Sequence, residues 1–184
     1  LESLRIMHNY EGMNYFIDKL ANLTSSSASF QLNISYVIFI YRLFSFIDIG
    51  EFEKAEVWIL QNQASLIDKT ALLKESQQAE MSLYIALTYL GNSEFRKARK
   101  RLSIFISRGH LYSLPLFRTI RIVNVMIHYE LEDIDYIHSE SRSIKREILK
   151  NKECNLKVES FMLRFMNYSL TKGNKKDRLT LWKR

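Results

Sequence analysis

The chain has 184 residues, a formal net charge of +7 and a hydrophobic fraction of 47%, of which aromatic residues are a substantial part. This composition excludes an intrinsically disordered chain, and the length is sufficient for one substantial core. One proline and five glycines are too few for the many tight turns of an all-β protein, so the composition predicts an all-α fold with short connections.

The first predicted helix covers residues 2–21, where apolar residues recur with a spacing near 3.6. A polar loop at residues 24–27 follows, and the second predicted helix covers residues 28–48. Gly50 ends this second helix, because glycine enters the left-handed conformation without a Cβ clash. We expect residues 35–49 to form a buried helix and not a membrane span, since the stretch is short and carries Arg42 at its centre.

The rest of the chain predicts six more helices, about eight in total. They cover residues 51–68, 72–90, 93–107, 113–130, 133–150 and 155–170. Gly91 is expected to end the fourth helix as Gly50 ends the second, Ser93 is a candidate cap of the fifth, and Pro115 suits the first turn of the sixth. Residues 172–184 are basic and predict a frayed or truncated tail.

A regular spacing recurs in the chain and relates Gly50 to Gly91 and Gly91 to Glu132. Each of these residues lies at the end of an apolar stretch, and a more polar stretch follows each time. A fixed period of this length, about 41 residues, is typical of stacked helical hairpins. The predicted hairpins are residues 28–68, 72–107 and 113–150, within a single helical-repeat domain over residues 1–171 that includes the flanking helices 2–21 and 155–170.

The second hairpin carries the pattern Ala86, Tyr89, Phe95, Ala98 and Leu102. In order and spacing it resembles the tetratricopeptide repeat, in which small residues let two helices cross closely. The match is weaker in the first hairpin and poor in the third, and HYELEDIDYI and SIKREILK also make the chain similar to tetratricopeptide-like proteins of Bacteroidetes. The resemblance implies a right-handed stack of antiparallel helical hairpins, a tetratricopeptide-like α-solenoid.

In proteins of that type, one face of the first helix of each hairpin lines a concave groove. The resemblance places eight residues of this chain there, namely Val37, Ile40, Phe44, Leu83, Leu87, Ile122, Met126 and Tyr129. An apolar stripe of this size, if exposed, marks a binding surface. The alternative is that the stripe is filled, by the first helix, by the eighth helix or by flanking sequence.

The basic residues form a second candidate surface. A basic patch is expected at six positions, namely Arg96, Lys97, Arg99, Lys100, Arg101 and Arg108. The C-terminal segment from Arg142 adds thirteen Lys and Arg residues against four carboxylates. These charges could contact nucleic acid or another polyanion, but aromatic residues that would stack on bases do not interleave with them.

No catalytic motif, cofactor fingerprint or metal-ligand spacing is recognisable, and the acidic residues and histidines near residue 133 lack such spacing. The leading hypothesis is therefore a non-enzymatic module that binds a protein or peptide, or another domain of the same chain, with no cofactor. Because the chain begins at Leu1, we expect it to be part of a longer protein, and the effector-sensing domain of a regulator is a further alternative. The lone Cys154 favours a reducing compartment and hence the cytoplasm.

Overall fold

The computed structural model describes residues 1–107, 115–150 and 160–166, and within these residues every regular element is a helix. The α-helices are α1 (Glu2–Ile6), α2 (Tyr10–Ala21), α3 (Ala28–Asp48), α4 (Phe52–Gln61), α5 (Glu75–Gly91), α6 (Phe95–Ile106), α7 (Pro115–Glu130), α8 (Ile134–Lys150) and α9 (160–166). A 3₁₀ helix, Ile67–Leu72, lies between α4 and α5. The all-α prediction is confirmed.

Internal contacts divide the chain into two compact units, an N-terminal unit of Leu1–Phe105 and a C-terminal unit that starts at Ile106. The single domain over residues 1–171 stays a prediction. The predicted eighth helix is described only over residues 160–166, and the basic tail 172–184 lies outside the described residues.

The N-terminal unit has a core between α3, α4 and α5. Helix α3 contacts α2, α4 and α5, and α4 also contacts α5. The buried residues of this core are Tyr36, Phe39, Ile40, Leu43, Phe44, Ala55, Ile59, Leu66, Leu73, Met81 and Ile85. Full burial of one such side chain stabilises the fold by about 1.5–3 kcal/mol, so α3, which supplies five of these residues, is the central helix of the unit.

By length and composition, α3 is the one helix of the described residues that could cross a membrane. Helices at the core of soluble proteins have the same length and apolar content. Arg42, in the C-terminal half of α3, bonds to Asn14 and Asp18 of α2 at 2.9 and 3.0 Å.

In the C-terminal unit, α7 packs on α8. The core of this unit consists of the buried residues Ile122, Val125, Tyr129, Ile137, Ile144, Leu163 and Met166. Two of these belong to α9, so α9 shares this core with α7 and α8.

The three hairpin turns, α3–α4, α5–α6 and α7–α8, have the same backbone geometry. Each contains one residue in the left-handed conformation, with φ of 78° at Gly50, 61° at Ser93 and 59° at Glu132. The N–H of the next residue then donates to the carbonyl five residues earlier, at 2.7–3.0 Å. This is the hydrogen bond of the Schellman motif, which satisfies a carbonyl at the end of a helix. The prediction that Gly50 adopts the left-handed conformation is confirmed.

The prediction that Gly91 ends a helix in the same way is wrong. Gly91 is the last residue of α5, and Ser93 takes the left-handed conformation. A Cβ atom at Gly91 would overlap the ring of Phe52, so glycine is needed there for clearance and not for the turn. The structurally equivalent residues are therefore Gly50, Ser93 and Glu132. The interval from Gly50 to Ser93 is longer than the interval from Ser93 to Glu132, and the regular spacing in the sequence is only the mean of the two.

Three predicted helix boundaries also need correction. The first helix, 2–21, is two helices, because His8 has φ of 54° and the Asn9 side chain caps α2 by accepting from the Gly12 N–H. The third helix, 51–68, ends at Gln61, and the fourth begins at Glu75 instead of residue 72. Between them the chain turns so that Leu66 and Leu73 enter the core on either side of the 3₁₀ helix.

Candidate functional site

The predicted groove residues of the N-terminal unit are mostly buried. Ile40, Phe44 and Leu83 expose 2–3% of their surface and belong to the interior of the unit, whereas Val37 and Leu87 are half-buried. An apolar side chain that is already packed offers little area to a partner. Of these five predicted groove residues, only Val37 and Leu87 therefore leave appreciable surface accessible.

The predicted groove residues of the C-terminal unit show the same tendency. Ile122 and Tyr129 are core residues, and Met126 is a half-buried residue packed against them. These side chains stabilise the α7–α8 pair.

Helix α1 contacts both α3 and α5 through the side chain of Arg5. Arg5 donates from Nε and Nη2 to the two carboxylate oxygens of Asp48, at 2.8 and 3.0 Å. Its guanidinium carbon lies 3.8 Å from the ring centroid of Phe44 and 5.8 Å from that of Tyr84. The two rings are 4.3 Å apart and inclined at 60°. We call the site formed by Phe44, Asp48 and Tyr84 the arginine notch.

The notch suits a guanidinium group in both shape and charge. A planar guanidinium forms paired hydrogen bonds to a carboxylate and also stacks on aromatic faces, which an ammonium group cannot do equally well. The hydrogen bond to Asp48 raises the pKa of Arg5, against the opposing effect of burial. Arg5 therefore carries a positive charge at neutral pH.

Tyrosines and carboxylates surround the notch. The Tyr41 hydroxyl donates to Glu2 at 3.2 Å, and the Tyr36 hydroxyl donates to Glu80. Burial raises the pKa of both tyrosines, and these carboxylates raise it further. With the notch, Tyr36, Tyr41 and Glu80 form what we call the α3–α5 face. Although the whole chain is basic, this face is acidic and aromatic.

Apart from its contacts with the adjoining α2, helix α1 has few other attachments. It has five residues, none of them buried; its last residue, Ile6, and the adjoining Met7 are 70% and 64% exposed. A helix this short is not stable in isolation. We therefore attribute its position mainly to the polar contacts of Arg5 and Glu2 with α3.

The predicted basic patch is only partly available. Arg96, Arg99 and Lys100 are exposed, but Lys97 bonds to Glu56 and Glu94 at 3.2 and 2.6 Å. Arg101 is half-buried, burial lowers its pKa, and its Nε has no hydrogen-bond partner among the described residues. Arg108 lies outside the described residues.

In the C-terminal unit a buried arginine bridges the two helices. Arg121 of α7 is 3% exposed and bonds to Glu140 and Glu147 of α8, both at 2.5 Å, and to the Ser143 hydroxyl at 2.9 Å. Two charged hydrogen bonds in a buried position favour a structural role, since an unpaired buried charge is strongly destabilising.

A second polar cluster of the C-terminal unit lies at the α7–α8 turn. The His128 ring stacks on Tyr136 at 3.8 Å, and its Nδ1 lies 2.9 Å from Asp133. Asn124 donates to the Tyr136 hydroxyl at 2.6 Å, and burial raises the pKa of Tyr136 to about 12. Among the described residues no group of three or more His, Cys, Asp or Glu side chains is placed to hold a metal ion.

A cavity of about 550 Å³ also opens on α8. Its lining residues are Asp135, His138, Ser141, Arg142 and Lys145. They carry both signs of charge along one helix, and the Arg142 Nε already donates to the His138 carbonyl at 3.2 Å. The lining therefore has no dominant charge that would select one class of ligand.

Sequence patterns did not reveal the arginine notch. Arg5 and Asp48 are 43 residues apart, and no local spacing relates them. The only local sign is on α3, where Tyr41, Phe44 and Asp48 follow one another at intervals of three and four and therefore share a helix face.

No family model, curated protein or solved structure matches this chain. The resemblance to tetratricopeptide repeats consequently stays a prediction that depends on the residues quoted for it.

Proposed function

We propose that the chain is a non-enzymatic helical-repeat module that binds a protein or peptide segment on the α3–α5 face. The observation that carries this proposal is that a short helix, α1, already lies on that face. A surface that holds a five-residue helix without burying any of its side chains has suitable geometry for a helical or extended segment of a partner.

The arrangement of the helices supports a tetratricopeptide-like stack as part of the same proposal. In such a stack the second helix of one hairpin packs against the first helix of the next, as α4 does against α5, and successive first helices also meet, as α3 and α5 do. The recurring left-handed turn is a further similarity between the three hairpins.

The test uses one substitution on the face and a matched one away from it. Leu87 is half-buried and lies one helical turn from Tyr84 on α5, whereas Val57 of α4 is 53% exposed. Short peptides selected from a random library on the full chain should lose at least about tenfold in affinity for Leu87→Asp, because a charge in an apolar contact must be desolvated. They should bind Val57→Asp as they bind the unmodified chain.

Binding is measured by titration calorimetry, and circular dichroism verifies that both variants are folded. Equal affinity for Leu87→Asp and Val57→Asp would place the binding surface elsewhere. Failure to select any peptide would count against the whole proposal.

A further inference from the structure

The strongest unassigned feature of the molecule is the arginine notch. We propose that Phe44, Asp48 and Tyr84 form a recognition site for one arginine of a cationic peptide segment of a partner, and that Arg5 fills this site in the free chain. This inference rests on the proposed function and specifies which chemical group the α3–α5 face selects.

Charge complementarity indicates the kind of partner. The α3–α5 face carries the carboxylates of Asp48 and Glu80, which stay in place when α1 leaves. Arg5 is the cation that the structure shows against Asp48 and the Phe44 ring. A partner segment that brings its own arginine would restore the same paired hydrogen bonds and ring contacts, whereas an acidic segment would be repelled.

Helix α1 can leave the face without disrupting the unit beneath it. His8, in the left-handed conformation, separates α1 from α2, and α2 begins with its own Asn9 cap. Met13 and Ile17 anchor α2 in the interior, with 0% and 1% exposure. The segment that must move is therefore limited to the residues before Asn9.

Competition with α1 sets the affinity that a partner needs. A segment tethered this closely has an effective concentration in the millimolar range, so a weakly binding peptide cannot displace it. Removal of the Arg5 side chain should release the notch and raise the apparent affinity for an arginine-containing peptide.

The experiment uses the full chain and a synthetic peptide with the sequence of residues 1–9, LESLRIMHN, acetylated at its N-terminus. Binding is followed by NMR chemical shifts of the amides of residues 41–48 and 80–87. We expect Arg5→Ala to bind the peptide about tenfold more tightly than the unmodified chain does, because the competing side chain is gone. The same peptide with glutamine in place of its arginine should bind Arg5→Ala about tenfold more weakly, since it lacks the charged hydrogen bonds.

Arg42→Ala is the matched control. Arg42 also pairs with an aspartate, Asp18, and its side chain is 26% exposed, close to the 21% of Arg5. The Arg42 side chain contacts α2, and its removal leaves Arg5 in the notch. The Arg42→Ala variant should therefore bind the peptide no better than the unmodified chain. Arg5→Ala combined with Asp48→Asn should lose the gain.

Each other outcome overturns a defined part of the inference. Equal binding of the arginine and glutamine peptides to Arg5→Ala would exclude arginine recognition but retain the α3–α5 face as a binding surface. No binding of either peptide, together with Leu87-dependent binding of library peptides, would overturn the notch alone. If library peptides also fail, the proposed function fails with it.

Two further results would contradict displacement. Loss of the fold in both Arg5→Ala and Asp48→Asn would show that α1 is a required part of the unit. A concentration-dependent dimer of the unmodified chain that Arg5→Ala abolishes, measured by sedimentation velocity, would identify a second copy of the chain as the occupant instead of a peptide partner.

Discussion

Each unit of this molecule contains an arginine that joins two helices, and the two are used differently. In the C-terminal unit, Arg121 is 3% exposed and is held by two glutamates of α8. In the N-terminal unit, Arg5 leaves 21% of its side chain exposed and is held by one aspartate and two aromatic rings. The first joins two long helices that share a core, and the second joins a short helix that has no buried residue.

The degree of burial and the number of paired carboxylates decide how strongly each arginine holds its two helices together. A buried arginine between two carboxylates cannot leave without exposing uncompensated charges. A partly exposed pair contributes little to stability, because water replaces its hydrogen bonds when it opens. Arg5 therefore combines specific geometry with a low cost of release, which is what a displaceable contact requires.

Arg121→Ala should destabilise the protein more than Arg5→Ala, Gly91→Ala or Gly50→Ala. Removal of the Arg121 side chain takes the shared cation from Glu140 and Glu147, whose side chains are 18% and 34% exposed, at a cost of about 3 kcal/mol in free energy of unfolding. Arg5→Ala should cost less than about 1 kcal/mol, since it removes a peripheral pair. Hydrogen exchange of the amides of α3, α5, α7 and α8 measures both effects, and equal losses for the two variants would remove the distinction.

An intermediate effect is expected for Gly91→Ala. Alanine is the better helix former by about 1 kcal/mol, so propensity alone would stabilise α5. The added methyl group would instead press on the ring of Phe52, and we expect a net loss of about 1–3 kcal/mol in urea denaturation. Phe52→Leu should lower the free energy of unfolding less in the Gly91→Ala background than in the unmodified chain, because it also removes the ring on which the new methyl group presses. A stabilised Gly91→Ala variant would contradict the predicted overlap.

The smallest effects are a matched pair at the turns of the two units. Gly50→Ala places a Cβ in the left-handed region and should destabilise the N-terminal unit by about 1 kcal/mol. Glu132 has its Cβ in the same left-handed region. Glu132→Gly removes this strain and should stabilise the C-terminal unit by up to about 1 kcal/mol. Thermal denaturation with hydrogen exchange assigns each change to its unit, and shifts of the same sign would mean that the turns are not equivalent.

Local chemistry made part of this fold predictable. The bounds of α3 follow from the Ser27 cap and from the left-handed Gly50, and both belong to the immediate sequence. The sequence pattern misplaces the α5–α6 turn because Gly91 looks like Gly50. Ser93 can take the left-handed conformation at a modest cost, and the reason for Gly91 is the ring of Phe52, which belongs to the preceding hairpin.

The candidate site was less predictable than the fold. The register of α3 and α5 decides which side chains face inward, and an apolar pattern that extends around most of α3 does not determine that register. Ile40 and Phe44 are predicted at a surface on this basis and are buried. The pairing of Arg5 with Asp48 depends on the orientation of α1 relative to α2. The left-handed conformation of the single residue His8 sets this orientation, and no pattern in the sequence predicts it.

The three turns keep their hydrogen bonds although the first and second lie further apart in the chain than the second and third. The number of residues varies in the helices and in the segments between hairpins, such as the 3₁₀ helix after α4, and not in the turns within the hairpins. Insertions and deletions in a chain built this way would change the length of its hairpins and preserve the geometry of its turns. Related proteins of this kind are then better recognised by the backbone geometry of their hairpin turns than by a constant repeat length.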